Sequence, residues 1–258
     1  MTCCPPERCG TPRKFIALLG AIPDEGHLMA GSPGDALARD VRKYVFDHFL
    51  EHAVPPVLEQ IMERYHLERP DAFAVLKALE EARHLKLVPG TQRILMAFPF
   101  SAVATPFRTT RPVIGRRYYA NCAWDAVAFH TMLHEIVRIE SRCHHCAKPI
   151  SIELAGGKSR ASPPRPVVYL ALPASQWWND IVVTCSNHMV FFSSESHLDE
   201  WRKATQAPEG AILTIEETHA LSMPIYKDKL KVGYVRPGKD QLVTHFQSLG
   251  LTAEFWRI

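Results

Sequence analysis

The segment "YYANCAWDAVAF", residues 118–129, places a cysteine three residues before an aspartate in an otherwise apolar stretch. If a helix begins near Asn121, the thiol of Cys122 and the carboxyl of Asp125 lie on one helical face and can reach one bound atom. A helix N-terminus lowers the pKa of a thiol, and the thiolate is the form that attacks or binds a metal. The alternative is structural: Cys122 is a buried thiol, and the Asp125 carboxylate stabilises the positive end of the helix dipole. Taken alone, the Cys122–Asp125 pair favours this structural interpretation.

A second cysteine, Cys185, lies in "VVTCSNHMVFF". The β-branched residues predict a strand that carries Cys185 to its end, where it could face Cys122 with Asp125 between them. Two thiolates suit a soft metal, whereas oxygen-preferring ions would not choose them. A carboxyl held protonated by an apolar site, such as one lined by Trp124 and Phe129, could donate a proton to a bound group.

Two further cysteines allow a different use of Cys185. Cys143 and Cys146 in "SRCHHC" have the C-x-x-C spacing of half a tetrahedral zinc site. Cys185 and His188 in "TCSNH" repeat the same gap, so the four residues could form a structural Cys3His zinc site. The residues alone leave two possibilities open for Cys143 and Cys146. They belong either to this zinc site or to a strand end with one buried and one exposed thiol.

Composition excludes several functional classes. The 258 residues carry 30 Lys and Arg against 27 Asp and Glu, a net charge of +3 that is too small to indicate a nucleic-acid binder. No apolar run approaches the roughly 20 residues of a membrane-spanning helix. Seven irregularly spaced cysteines are unlike a secreted disulfide framework, so we expect a cytoplasmic protein with reduced thiols. Phosphate-loop, dinucleotide-binding, nucleophile-elbow and zinc-protease motifs are absent from the sequence.

The N-terminal half predicts two segments. Residues 1–33 are rich in Pro and Gly and contain Cys3, Cys4 and Cys9, which predicts a flexible tail. Residues 34–98 predict a winged-helix-like helical domain with one helix from Gly34, a second over residues 57–65, and a third capped by Asp71. Two short strands around a Pro-Gly turn would form the wing. Its mixed charge predicts a scaffold rather than a DNA reader.

Residues 99–258 predict a mixed, mainly antiparallel α+β catalytic domain. Helices are predicted over "CAWDAVAFHTMLHEI", over "ESHLDEWRKAT" with Ser196 as a possible N-cap, and over "EETHALSM". Strands are predicted over "IVRIESRC", "PISIEL", "VVYLAL", "DIVVTC" and "AILTI", with a loop over "GGKSRASPPRP". The predicted fold class is therefore α+β, with the helical domain preceding the catalytic one.

Between about residues 54 and 220 the chain resembles the organomercurial (alkylmercury) lyase family. The resemblance rests on "PFSAVATPFR", "NCAWD", "RIESRC" and "VVTCSNHMVFFSSESHLDEW". "NCAWD" is similar to the family's Cys-Ala-x-Asp element, which implies Cys122 as the first catalytic cysteine and Asp125 as the acid. Cys143 matches a structural cysteine, and Cys185 the second catalytic one. An alignment without gaps from the Phe-Phe pair instead places Ser186 at the position of the second catalytic cysteine. On a strand, a shift of one residue would turn the side chain to the opposite face of the sheet.

The resemblance implies protonolysis of a carbon–mercury bond. An organomercurial substrate would yield a hydrocarbon and Hg(II) held by the thiolates of Cys122 and Cys185. No cofactor would be required, and cellular thiols or a mercuric reductase would accept the Hg(II). The alternative is a non-catalytic metal-binding or regulatory protein of the same fold with a structural Cys/His zinc site. Neither nucleic acid nor membrane is an expected partner.

Overall fold

A computed structural model describes residues 33–258 of the chain. The predicted tail with Cys3, Cys4 and Cys9 lies outside the described residues. Within the described part, no helix combines the length and the apolar composition needed to cross a bilayer.

The described chain begins with three helices, whose bounds are α1 Pro33–His52, α2 Leu58–Tyr65 and α3 Arg69–Glu81. Helix α1 buries Val41, Val45 and Phe49 completely, as its spacing of apolar residues predicts. Helix α3 begins earlier than predicted, with Glu68 at the N-cap and a proline in its first turn. Asp71 therefore lies inside the first turn and is not the cap, because proline is well suited to the first helical positions.

Eight antiparallel strands form the larger sheet in the order β1-β2-β3-β5-β4-β6-β7-β8. Their bounds are β1 Lys86–Leu87, β2 Ile94–Ala97, β3 Phe100–Ser101, β4 Arg108–Arg111, β5 Arg116–Ala120, β6 Val137–Arg142, β7 Pro149–Ala155 and β8 Lys158–Ser162. The prediction of a loop over "GGKSRASPPRP" is wrong for residues 158–162, which form strand β8. Gly156 and Gly157, both at positive φ, make a tight hairpin with β7, and the polar edge strand lacks the apolar alternation that would reveal it.

The larger sheet crosses the predicted domain boundary at residue 98. Ala97 of β2 pairs with Phe100 of β3. The Phe100 ring stacks on Phe49 of α1, with ring centroids 4.9 Å apart, and meets Phe129 edge-on at 4.9 Å. The first helices and the sheet therefore share one core. The separation into residues 34–98 and 99–258, and the winged-helix comparison, stay predictions.

The remaining elements of the described chain are a small antiparallel sheet, five α-helices and two short 3-10 helices, Ala174–Gln176 and Glu254–Trp256. The sheet has the order β10-β9-β11, with bounds β9 Val167–Leu170, β10 Met189–Phe192 and β11 Ala211–Leu213. The helices are α4 Ala123–Leu133, α5 Ile181–His188, α6 Glu195–Thr205, α7 Ile215–Tyr226 and α8 Lys239–Ser248. Helix α4 is buried along nearly its whole length and packs against α7. Ser194, not the predicted Ser196, caps α6, since its side chain accepts from the amide of His197. The mixed α+β class with antiparallel sheets is confirmed.

Arg42 connects helix α1 to the chain just after α7. Its side chain is 1% exposed, and its guanidinium donates to the carbonyl of Lys229 at 2.7 Å and to that of Lys231. Breaking a buried, charge-assisted pair of hydrogen bonds leaves both carbonyls without their donor.

We expect Arg42→Ala to lower the free energy of unfolding by about 2–4 kcal/mol, because it leaves the buried carbonyl of Lys229 and the part-buried carbonyl of Lys231 without their donor. Urea denaturation measures the change. Arg39→Ala, on the same helix but partly exposed, is the matched control and should change stability by less than about 0.5 kcal/mol. Equal effects of the two substitutions would contradict this role of Arg42.

Candidate active site

Cys122 is the N-cap of helix α4. Its backbone is extended, and its sulfur accepts a hydrogen bond from the amide of Asp125 at 3.3 Å. The sulfur thus takes the position that a serine or aspartate oxygen usually fills. The predicted helix start near Asn121 is confirmed, and the thiol and carboxyl share one helical turn.

Cys185 lies in helix α5, so the predicted strand over "DIVVTC" is wrong. Asp180 caps this helix by accepting from the amides of Val182 and Val183, both at 3.1 Å. A good N-cap followed by a packed helix overrides the β-branched preference of the segment. Cys185 is buried, whereas Ser186 is exposed and donates to the carbonyl of Val182 at 2.8 Å. Cys185, and not Ser186, therefore faces the interior.

The structure brings Cys122, Asp125 and Cys185 together. Their sulfur and carboxylate atoms all lie within 4.8 Å of one another, and each residue is at most 3% exposed. The two thiols are also within hydrogen-bonding reach of each other. One bound soft metal ion could contact all three groups.

The predicted Cys3His set of Cys143, Cys146, Cys185 and His188 is wrong. Cys143 and Cys146 group with His197 of helix α6, while Cys185 lies with Cys122. The sequence could not exclude the set, because the folding of α5 as a helix decides which way Cys185 points.

Two hydrogen bonds hold the Asp125 carboxyl. The Tyr226 hydroxyl donates to Oδ1 at 2.5 Å, and Asn121 Nδ2 donates to Oδ2 at 2.9 Å. Asn121 also donates to the carbonyl of Pro99 at 3.1 Å, so the start of "PFSAVATPFR" helps to position the acid. The sequence analysis assigned no role to Asn121 or Tyr226. Asn121 adjoins Cys122 and could have been considered, but Tyr226 is 101 residues from Asp125 and carries no local signal.

Burial is the largest influence on the pKa of Asp125 and on that of Cys122, whereas the hydrogen bond with Cys122 is the largest influence on the pKa of Cys185. Burial raises the pKa of Asp125, although the hydrogen bonds of Tyr226 and Asn121 and the charge of Lys229 oppose it. Burial also raises the pKa of Cys122 well above its ordinary value, more than its bond from the Asp125 amide lowers it. The hydrogen bond with Cys122 lowers the pKa of Cys185, but burial and the Asp125 charge raise it overall. The expected lowering of the Cys122 pKa by a helix N-terminus is therefore wrong, and the resting thiols keep their protons.

A cavity of about 300 Å³ opens beside the three groups. Trp124, Trp177 and Trp178 line it together with the buried Lys229. Phe129, which the sequence suggested as a second lining residue, instead packs in the core against Phe100 and Tyr118. The cavity offers apolar surface to an organic group next to two thiols and one carboxyl.

The family model described as alkylmercury lyase matches residues 100–227, which contain Cys122, Asp125 and Cys185. The chain belongs to the alkylmercury lyase family. The alkylmercury lyase of Bacillus cereus is 30% identical over 151 residues, and that of Staphylococcus epidermidis is 26% identical over 178 residues. These alignments cover 56% and 67% of this chain. The chain spans 66% of the length of the Bacillus cereus alkylmercury lyase and 80% of the length of the Staphylococcus epidermidis one.

A solved structure shares the fold described above. The crystal structure of the mercury-bound form of MerB2 superposes with a TM-score of 0.61 at 19% sequence identity. The match covers 84% of this chain and 97% of that one. It extends well beyond residues 100–227 of the family match, so most of the described architecture is common to both proteins.

We expect Tyr226→Phe to raise the pKa of Asp125 further, because it removes a hydrogen bond that favours the carboxylate. Infrared difference spectra of the protonated carboxyl band, followed against pH, measure this titration. Tyr118→Phe is the matched control, since Tyr118 is equally buried but donates to the carbonyl of Leu50 at 2.9 Å. An Asp125 band that titrates at unchanged or lower pH in Tyr226→Phe would contradict the assignment.

Proposed function

We propose that this protein cleaves the carbon–mercury bond of organomercurials by protonolysis, releasing a hydrocarbon and leaving Hg(II) on two thiolates. The observation that carries the proposal is the buried cluster of Cys122, Cys185 and Asp125 within 4.8 Å in a member of the alkylmercury lyase family. Soft thiolates bind mercury, and the carboxyl supplies a proton inside a site shielded from water.

The first step forms one sulfur–mercury bond. Burial keeps the Cys122 thiol protonated, so the sulfur needs a base before it can attack. Asp125 is within reach and accepts this proton in its carboxylate form. A lone pair of the Cys122 sulfur then bonds to mercury, and the ligand opposite the organic group leaves with its electron pair.

The second thiol prepares the carbon for protonation. Cys185 gives its proton to solvent or to the departing ligand and adds a second sulfur–mercury bond. The added electron density weakens the carbon–mercury bond. Asp125 then transfers its proton to the carbon, and the carbon–mercury bonding pair becomes the new carbon–hydrogen bond.

The overall reaction balances without a change of oxidation state. One organomercury cation and two thiols give one hydrocarbon, one bis-thiolate Hg(II) and one proton released to solvent. No organic cofactor enters this scheme, because the two thiols and the carboxyl supply every bond and proton that it requires. Cellular thiols or a mercuric reductase then remove the Hg(II) by thiol exchange. We expect the reaction to occur in the cytoplasm, because thiols stay reduced there.

We expect Cys185→Ser to lower hydrocarbon release at least about 100-fold, because mercury loses its second sulfur. Gas chromatography of the hydrocarbon, with excess thiol present, measures the rate. Cys185→Ser combined with Ser186→Cys tests the position: a thiol at 186, on the exposed side of α5, should not restore activity. Ser186→Ala is the matched control and should keep the original rate.

Restoration by the double substitution would mean that residue 186 faces the first thiol, and the proposed site would be wrong. Full activity of Cys185→Ser alone would remove the requirement for a second thiol.

A further inference from the structure

A second sulfur-containing cluster lies away from Cys122 and Cys185. Cys143 and Cys146 belong to the turn between β6 and β7, and His197 lies in the first turn of α6. His197 Nδ1 is 3.5 Å from the Cys143 sulfur and 3.4 Å from the Cys146 sulfur. All three ligand atoms lie within 4.8 Å of one another.

These distances match a tetrahedral zinc centre. With Zn–S near 2.3 Å and Zn–N near 2.05 Å, a tetrahedral angle separates sulfur from nitrogen by about 3.6 Å. A single N–H···S hydrogen bond explains one such contact but not two. Nδ1 also lies 2.8 Å from Ser193 Oγ, and one ring nitrogen carries at most one proton. An ion bound by both sulfurs and the nitrogen accounts for the two sulfur contacts together.

The backbone around the two cysteines is shaped to present both thiols. The amide of Ala147 donates to the carbonyl of Cys143 at 2.8 Å, and the amide of Cys143 donates to the carbonyl of Lys148 at 2.9 Å. Ala147 has φ +57°, a left-handed conformation that non-glycine residues seldom adopt. This closed turn brings Cys146 back beside Cys143.

Ser193 stabilises the charged form of one thiol. Its amide and its hydroxyl both lie 3.4 Å from the Cys143 sulfur and donate to it. Burial alone would raise the pKa of Cys143, but the Ser193 bonds, the turn backbone and His197 together lower it to about 6. Cys122 and Cys185 have the opposite tendency, with pKa values raised by their surroundings. The surroundings of Cys143 thus favour its thiolate, whereas those of Cys122 and Cys185 favour the thiol.

We propose that Cys143, Cys146 and His197 bind one Zn(II) ion, with a fourth ligand supplied by solvent or a small thiol. Zinc accepts two thiolates and one imidazole in tetrahedral geometry, and C-x-x-C is its common spacing. Cys146 and His197 are only partly buried, so solvent can reach the ion. This site accompanies the proposed lyase centre and uses none of its residues.

The zinc ion would join segments distant in the sequence. It cross-links the turn at 143–148 to helix α6, about 50 residues later. The same turn already contacts β10, where the amide of His144 donates to the carbonyl of Phe191 at 2.9 Å. Strand β10 directly follows α5, the helix that carries Cys185. A structural ion here would stabilise the region that supports the second thiol.

The test uses the full-length chain with serine at Cys122, Cys185, Cys3, Cys4 and Cys9, so that Cys143 and Cys146 are its only thiols. After loading with Zn(II) and gel filtration, mass spectrometry of the metal should find one zinc per chain. Adding Cys146→Ser or His197→Gln should lower this to background. His145→Ala is the matched control: its ring is 5.7 Å from that of His197, yet it is outside the cluster, so the zinc should remain.

Thermal unfolding with and without added Zn(II) separates loss of the site from loss of the fold. Zinc should raise the Tm of the five-serine chain and of His145→Ala, but not that of a folded His197→Gln chain. Co(II) in place of zinc should give the intense visible absorption bands of tetrahedral thiolate coordination in the five-serine chain and in His145→Ala, but not in His197→Gln. A five-serine chain that is folded yet retains no zinc, or zinc retention unchanged in Cys146→Ser and His197→Gln, would overturn the proposal. Neither result depends on cleavage of organomercurials.

Discussion

The hydrogen bond from Tyr226 to Asp125 joins the end of helix α7 to the first turn of the buried helix α4. It holds a carboxyl inside an apolar site, where burial raises the pKa of the acid and only a few donors favour its charged form. A carboxyl in this balance can accept a proton from a thiol and later return it. The packing of α4 against α7 therefore positions the acid of the proposed reaction.

Several elements hold this acid in place from different directions. Asn121 connects it to Pro99 and so to the strands around the predicted domain boundary. Arg42 of α1 fixes the chain after Tyr226 through the carbonyls of Lys229 and Lys231. Because these contacts link the first helices, the large sheet and α7, a change far from the thiols can disturb the geometry of the proposed proton transfer.

The sequence predicted the α+β class and the shared helical turn of Cys122 and Asp125, because both depend on local spacing. It also anticipated that Cys185 would approach them, but it placed Cys185 on a strand. There the capping by Asp180 outweighs the preference of Ile181, Val182 and Val183, a balance that propensity alone does not reveal. The partnership of Tyr226 with Asp125, and of His197 with Cys143, depends on tertiary packing, so no local pattern could have indicated it.

The central claim is that two thiols hold mercury while Asp125 protonates the carbon, and single-turnover cleavage by Asp125→Asn tests it most directly. The protein is mixed with one equivalent of an arylmercurial, and both bound mercury and released hydrocarbon are measured over time. The account predicts that the variant still binds the arylmercurial but releases the hydrocarbon about 10²–10⁴-fold more slowly than the original protein. Release at the original rate would show that another group supplies the proton and would contradict the account.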